Sequence, residues 1–253
     1  MKKTILITGA TSGFGKAIAK LFAGNGFDLV IAGRRAERLE LIQQELEAMG
    51  AGVISLCFDV RDKEAAKAAI ASLEGRVKQI DILVNNAGLA SGLSGIGEGD
   101  TDDWDLMIDT NVKGLLYVTR QVVPWMKAAG SGHIFNIGST AGKLVYKNGN
   151  VYCATKFAVD ALNQAMRIDL LEYGIKVTGI NPGMAETEFS LVRFKGDEDR
   201  ARQVYEGIEA LRPEDVANTV YYCATLPAHV CINDLTMTCT AQANGIYNIK
   251  KPQ

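Results

Sequence analysis

Short apolar runs alternate with longer amphipathic stretches, and this alternation constrains the fold more than any other feature of the chain. Thr4–Thr8, Leu29–Ala32, Val53–Phe58 and Ile80–Asn85 are short and rich in β-branched or aliphatic residues. Between them lie stretches with helical spacing, at Gly15–Asn25, Ala36–Met49 and Lys63–Gly75. Strand and helix in strict succession predict a parallel sheet with helices on both faces and right-handed crossovers. The pattern continues with helices predicted at Trp104–Ala129, Val151–Tyr173 and Pro213–Leu226, and strands at His133–Gly138, Ile175–Ile180 and Asp234–Thr238. The expectation is an α/β chain with a doubly wound parallel sheet of about seven strands.

No proline-rich linker or charge block divides the 253 residues, so residues 1–253 are expected to form a single domain. Residues 188–211 are polar and carry Gly196 and Gly207, which predicts a substrate-covering segment within that domain. An apolar fraction of 47% with 22% charged residues and a formal charge of -2 describes an ordinary globule. That charge gives no reason to expect a nucleic-acid partner, and no apolar run approaches a membrane span. The opening MKKTILITGA leads into a glycine motif without a cleavage signal, so a cytoplasmic protein is expected. Cys57, Cys153, Cys223, Cys231 and Cys239 form no CxxC, and with only His133 and His229 beside them no metal site is expected. Cys153 adjoins Tyr152 but lies off its helical face; it is not expected to be catalytic, although thiol reagents there could disturb the site.

The segment TGATSGFG follows the first strand and opens a helix. Gly9 suits the tight turn, Gly13 the approach of a pyrophosphate and Gly15 close helix packing, while helix N–H groups favour the anion. Thr11, Ser12 and Phe14 share that loop, and the context gives a Rossmann-type nucleotide site rather than a P-loop. After strand two, IAGRR places Arg34 and Arg35 where an acid would suit NAD, so two cations favour the 2′-phosphate of NADP/NADPH. Solvent-exposed arginine is the alternative. Asp59 with Val60 after strand three, and Asn85, Ala87 and Gly88 in NNAG after strand four, fall at the same edge of the sheet and are assigned to the cofactor.

Ser139, Tyr152 and Lys156 lie in IGSTAGKLVYKNGNVYCATK, with the tyrosine and lysine at i and i+4 on one predicted helical face. A cation beside the phenol predicts a titration below the ordinary value of about 10.

Taken in order, TGATSGFG, NNAG, Asn111, Ser139, Tyr152, Lys156, Pro182–Gly183 and Thr187 make the chain resemble the classical short-chain dehydrogenase/reductase family over its whole length. The resemblance implies that Asn111, Ser139, Tyr152 and Lys156 are a catalytic tetrad. It implies further that Tyr152, Lys156, Pro182, Gly183 and Thr187 meet the cofactor, and that the protein is a homotetramer. IGSTAG, GNVY with ATK, TEFS with VRFKGD, and TLPAHV with IN are similar to bacterial NADP-dependent enzymes acting on 3-hydroxy acids, serine and allo-threonine, and to malonic semialdehyde reductases, with sulfoacetaldehyde reductases nearby. NPGMAETEFS and AGKLVYKNG depart from that subgroup beside the substrate site. A small anionic carbonyl or hydroxy acid is therefore expected, interconverted by hydride transfer with Tyr152 as proton donor and Ser139 on the oxygen. Ser139, Tyr146 and Arg193 are the substrate residues expected, with Lys143 and Lys147 as other anion anchors; each cation is also adequate as solvated surface charge. A non-catalytic NADP-binding redox sensor is the reading from another class.

Overall fold

The computed structural model describes residues 2–250. Its sheet has seven parallel strands in the order β3-β2-β1-β4-β5-β6-β7. They are β1 Thr4–Thr8, β2 Asp28–Gly33, β3 Val53–Cys57, β4 Ile82–Asn85, β5 Gly132–Ile137, β6 Ile175–Pro182 and β7 Asp234–Met237. Successive strand residues point to opposite faces, and here both faces are covered. Ile5 and Ile7 pack with Ile18 and Phe22 of α1 (Gly13–Gly24), Leu39 and Leu46 of α2 (Ala36–Glu47), and with Val220. Leu6, between them, packs on the other face with Ile70 of α3 (Lys63–Ala71), and with Val118, Val122 and Met166. This two-sided burial is why the strand text is continuously apolar.

The predicted helix at Trp104–Ala129 is interrupted. It consists of α4 (Thr101–Ile108), a π-helical turn at Asp109–Gly114, and α5 (Leu115–Ala129). Gly114 lies so close to the β3–α3 loop that a Cβ would stand 2.7 Å from Val60 Cγ2, while the Asn111 side chain is held by the backbone of Leu89. The wider turn accommodates both contacts, as π-turns in longer helices commonly do at functional sites. The remaining helices are α6 (Asn150–Leu170), α7 (Phe189–Arg193), α8 (Glu198–Gln203) and α9 (Pro213–Thr225).

Residues 188–211, expected as a covering segment, contain α7 and α8. Their two ends meet: Ala185 bridges Leu211, Glu186 N–H donates to Leu211 O at 2.9 Å, and Leu211 N–H donates to Met184 O at 2.9 Å. The segment therefore leaves the sheet and returns to it at one point, over the carboxyl ends of the strands.

Candidate active site

Strands β1 and β4 are neighbours whose connections leave in opposite directions, which opens a crevice at their carboxyl ends. A cavity of about 500 Å³ lies there. Gly9 adopts φ +65, and a Cβ on it would stand 2.9 Å from the Asn86 amide nitrogen. Thr8 Oγ1 accepts from the N–H groups of Asn86 and Ala87, both at 3.0 Å, tying the β1 and β4 turns together. Thr11, Ser12, Gly13 and Phe14 line the cavity from this turn. The first turn of α1 has no acidic residue, and the Ser12 side chain does not cap it. Its leading N–H groups are thus left to meet an anion.

Around the cavity the structure brings together Arg34, Arg35, Asp59, Val60, Ala87, Gly88, Pro182, Gly183 and Thr187. Asp59 is partnered: its carboxylate accepts from Arg61 and, at 3.5 Å, from Arg34 Nη1. Burial pushes its acid upward, but the hydrogen bonds of Arg61 and the charge of Arg34 prevail and hold it below the usual range.

Three assigned residues stand elsewhere. Asn85 does not line the cavity; it is buried, and its amide donates to Thr119 Oγ1 at 2.8 Å and Asn136 Oδ1 at 2.9 Å. The following residue, Asn86, faces the site instead and donates to the carbonyls of Thr8 and Gly9. Strand alternation makes the reason simple: adjacent residues point opposite ways. Gly15 packs against Gly9 behind the lining, in the packing role foreseen for it. The Asn111 side chain accepts from Leu89 N–H, donates to Leu89 O, and donates to Thr155 Oγ1 at 3.0 Å, so both of its N–H groups are committed.

Ser139 begins the short turn after β5, where its Oγ accepts from Ala141 N–H at 3.1 Å. Tyr152 and Lys156 occupy the first turns of α6, and both face the cavity. Lys156 Nζ donates to Ile137 O at 2.9 Å and lies 6.0 Å from the centre of the Tyr152 ring. The predicted lowering of the phenol is not what this geometry produces. Tyr152 is enclosed by Leu89, Ala90, Met107 and Ala141, with the Phe189 ring at 5.5 Å. Burial, then Tyr146, pushes its phenol well above the ordinary value, with the Ser139 hydrogen bond and Arg193 pulling back only in part. Burial also lowers Lys156 to about 8. Desolvation outweighs the cation because the ammonium is turned toward a backbone carbonyl.

Arg193 stands over two aromatic rings, 5.5 Å from the centre of Tyr146 and 5.6 Å from that of Tyr152. Among the described residues no carboxylate lies within ion-pair distance of it. Lys143 is different: Asp160 at 2.6 Å and Asp234 at 2.9 Å already hold it, and Lys147 is exposed away from the cavity. Neither lysine is placed as an anchor.

Several lining or supporting residues escaped the sequence. Gln242 lines the cavity and accepts from Met184 N–H at 2.7 Å. Glu188 lines it too, and Thr155 links Asn111 to Tyr152 O, to which it donates at 2.8 Å. Thr155 stands beside Lys156 in the sequence, but its burial depends on the packing of the helix, and nothing in the final loop marked Gln242.

The short chain dehydrogenase profile matches residues 3–197. The chain belongs to the short chain dehydrogenase family. It is 48% identical over 240 residues to the NADP-dependent 3-hydroxy acid dehydrogenase YdfG of Salmonella typhi, a match covering 94% of this chain and 96% of that protein. It is 43% identical over 237 residues to the serine 3-dehydrogenase of Rhizobium radiobacter, covering 94% of each. The closed form of serine dehydrogenase complexed with NADP+ superposes with a TM-score of 0.91 at 45% identity, covering 98% of this chain and all of that one.

Proposed function

We propose that this chain interconverts a small acidic aldehyde or ketone and its hydroxy acid, with serine-type 3-hydroxy acids and the malonic semialdehyde/3-hydroxypropionate pair as the best substrates. It is an NADP(H)-dependent oxidoreductase, as its relatives are. The cavity suits that cofactor: an uncapped, acid-free helix start faces it, and Arg34 and Arg35 at the end of β2 line it, where their charge would suit a 2′-phosphate. Ser12, Gly13 and Phe14 would hold the pyrophosphate, with Thr187 and Lys156 toward the nicotinamide end.

When bound, the cofactor supplies or accepts the hydride at the substrate carbon. The protein handles the proton and the charge. Tyr152, kept protonated by burial, donates to the carbonyl oxygen, and Ser139 stabilises the charge developing there. Lys156, near its midpoint at pH 8, is suited to pass a proton inward. In the reverse direction the Tyr152 phenolate accepts the hydroxyl proton.

The observation that carries the acidic substrate is Arg193, a guanidinium above the Tyr146 and Tyr152 rings without a carboxylate partner among the described residues. A planar fork of donors suits a carboxylate, and a sulfonate equally well, which keeps sulfoacetaldehyde as the second substrate. The test compares kcat/KM for malonic semialdehyde, sulfoacetaldehyde and a neutral aldehyde of equal length, in wild type and Arg193→Gln. A charged substrate should win by roughly 30-fold or more in wild type, as a desolvated pair implies, and lose that lead in the variant. A neutral winner would overturn the reading. Family membership supports a homotetramer. Among the described residues no helix is long and apolar enough to cross a membrane, and the free cysteines suit the cytoplasm.

A further inference from the structure

Glu188 is the first residue of the covering segment, and it reaches across the mouth of the cleft. Its neighbour Thr187 has side-chain carbons 3.6 Å from where a Cβ on Gly13 would be, so the chain passes directly over the glycine turn. The Glu188 carboxylate then accepts from Arg38 Nη1 at 2.8 and 3.0 Å and from Arg35 Nη1 at 3.3 Å. Arg35 and Arg38 lie one helical turn apart at the start of α2. Burial raises the Glu188 acid, but Arg38 and then Arg35 bring it below its usual value, so it is charged through the neutral range.

The two arginines are not equivalent. Arg35 is shared: its Nη2 donates to Thr11 Oγ1 at 2.9 Å and Ser12 Oγ at 3.1 Å, within the turn that receives phosphate. Arg38 makes its side-chain hydrogen bonds to Glu188 alone among the described residues. A 2′-phosphate drawn to Arg34 and Arg35 competes for the longer contact and leaves the two shorter ones standing. We propose that Arg38 and Glu188 form a clasp over the cofactor cleft, which sets how fast NADP(H) leaves rather than which dinucleotide is chosen. The inference rests on the cleft being the NADP(H) site.

Dissociation rates of NADPH and NADH, followed by the loss of cofactor fluorescence on chasing with excess NADP, decide the matter. The clasp is solvent-exposed, so Arg38→Gln and Glu188→Gln should each speed release between about 1.5- and fivefold. Release of both NADPH and NADH should quicken, NADH by the smaller factor in Arg38→Gln because without a 2′-phosphate Arg35 still holds Glu188. The double variant should release no faster than the faster single one, and Arg38→Lys should stay within about twofold of wild type. Added salt should speed release from wild type more steeply than from either Gln variant, because an exposed pair is screened. Unchanged rates, or additive effects in the double variant, would overturn the clasp. So would a Glu188→Gln protein that binds NADPH more tightly, which would make Glu188 a competitor of the phosphate. A loss confined to NADPH in Arg38→Gln would make Arg38 a phosphate ligand instead. A wild type that binds neither dinucleotide would sink the cofactor site itself, and the clasp with it.

Discussion

Asn111 grips the backbone of Leu89 from both sides: its Oδ1 accepts from Leu89 N–H and its Nδ2 donates to Leu89 O, each at 2.8 Å. The β4 loop carrying Gly88 is thereby fixed against the π-turn, with Gly88 between Asn111 and Lys156. Asn111→Leu leaves both Leu89 groups unpaired in a buried place. A loss on the order of 3 kcal/mol is expected, seen as a lower urea midpoint together with weaker turnover. Unaltered stability with lost turnover would mean that Asn111 acts in the chemistry itself rather than through Leu89.

Tyr152→Phe should lower turnover at least about 100-fold while leaving NADPH affinity within a factor of about two. Because burial raises the phenol, Tyr152 stays protonated through neutral and mildly alkaline pH, and wild-type reduction should decline only as Lys156 loses its proton above about pH 8. Oxidation of the hydroxy acid should climb over the same range, since it needs the phenolate. Initial rates in both directions from pH 6 to 10 test this; an oxidation rate flat with pH would contradict the proton assignment.

Arg34 is half-exposed and only loosely held by Asp59, which prefers Arg61. It is therefore free to turn toward a phosphate. Arg34→Ala should weaken NADPH by roughly tenfold or more, as loss of a charge-assisted bond implies, and change NADH little. Titration of both cofactors into both proteins measures it, and equal losses would assign Arg34 a purely structural part.

Lys156 serves chemistry at the expense of stability. Its folded value of about 8 lies below the free value of 10.5. The unfolded chain thus holds the proton more tightly between those values, and stability rises with pH across that window. Below pH 8 the charged ammonium is at its most unfavourable in the fold. Lys156→Met should accordingly be more stable at pH 7 by up to about 3 kcal/mol, less the hydrogen bond to Ile137, and so melt at a higher temperature. The advantage should shrink from pH 8 upward and vanish near 10.5, while turnover is lost throughout. Thermal melts at pH 7, 9 and 10.5 provide the comparison; a variant less stable at pH 7 would refute it.

The strands, most helices and the Ser139–Tyr152–Lys156 register were legible because apolar period, glycine placement and i,i+4 spacing are local signals. The π-turn was not, since it depends on Val60 meeting Gly114 and on Leu89 holding Asn111, contacts remote in sequence. NNAG contains both Asn85 and Asn86, and only the facing of β4 tells which one meets the cleft. The Arg38–Glu188 pair spans 150 residues, and neither side chain is distinctive alone. The phenol of Tyr152 departs from the sequence expectation for a related reason. Spacing put the lysine on the correct face but could not show that Ile137 O claims its ammonium or how dry the ring would be.

The central position of β1 has a consequence for how the molecule is made. Ile5 pairs with Leu29's strand on one side, but on the other it waits for Ile82. A nascent chain on the ribosome therefore exposes one apolar edge of its first strand until β4 has emerged, and such distant pairings close slowly. The glycine turn can be shaped only then, because its partner Asn86 follows β4. The active cleft still lacks the wall carrying Gln242, which emerges only after β7. Bound cofactor can thus stabilise the completed cleft but has no site to bind during the early collapse of the sheet.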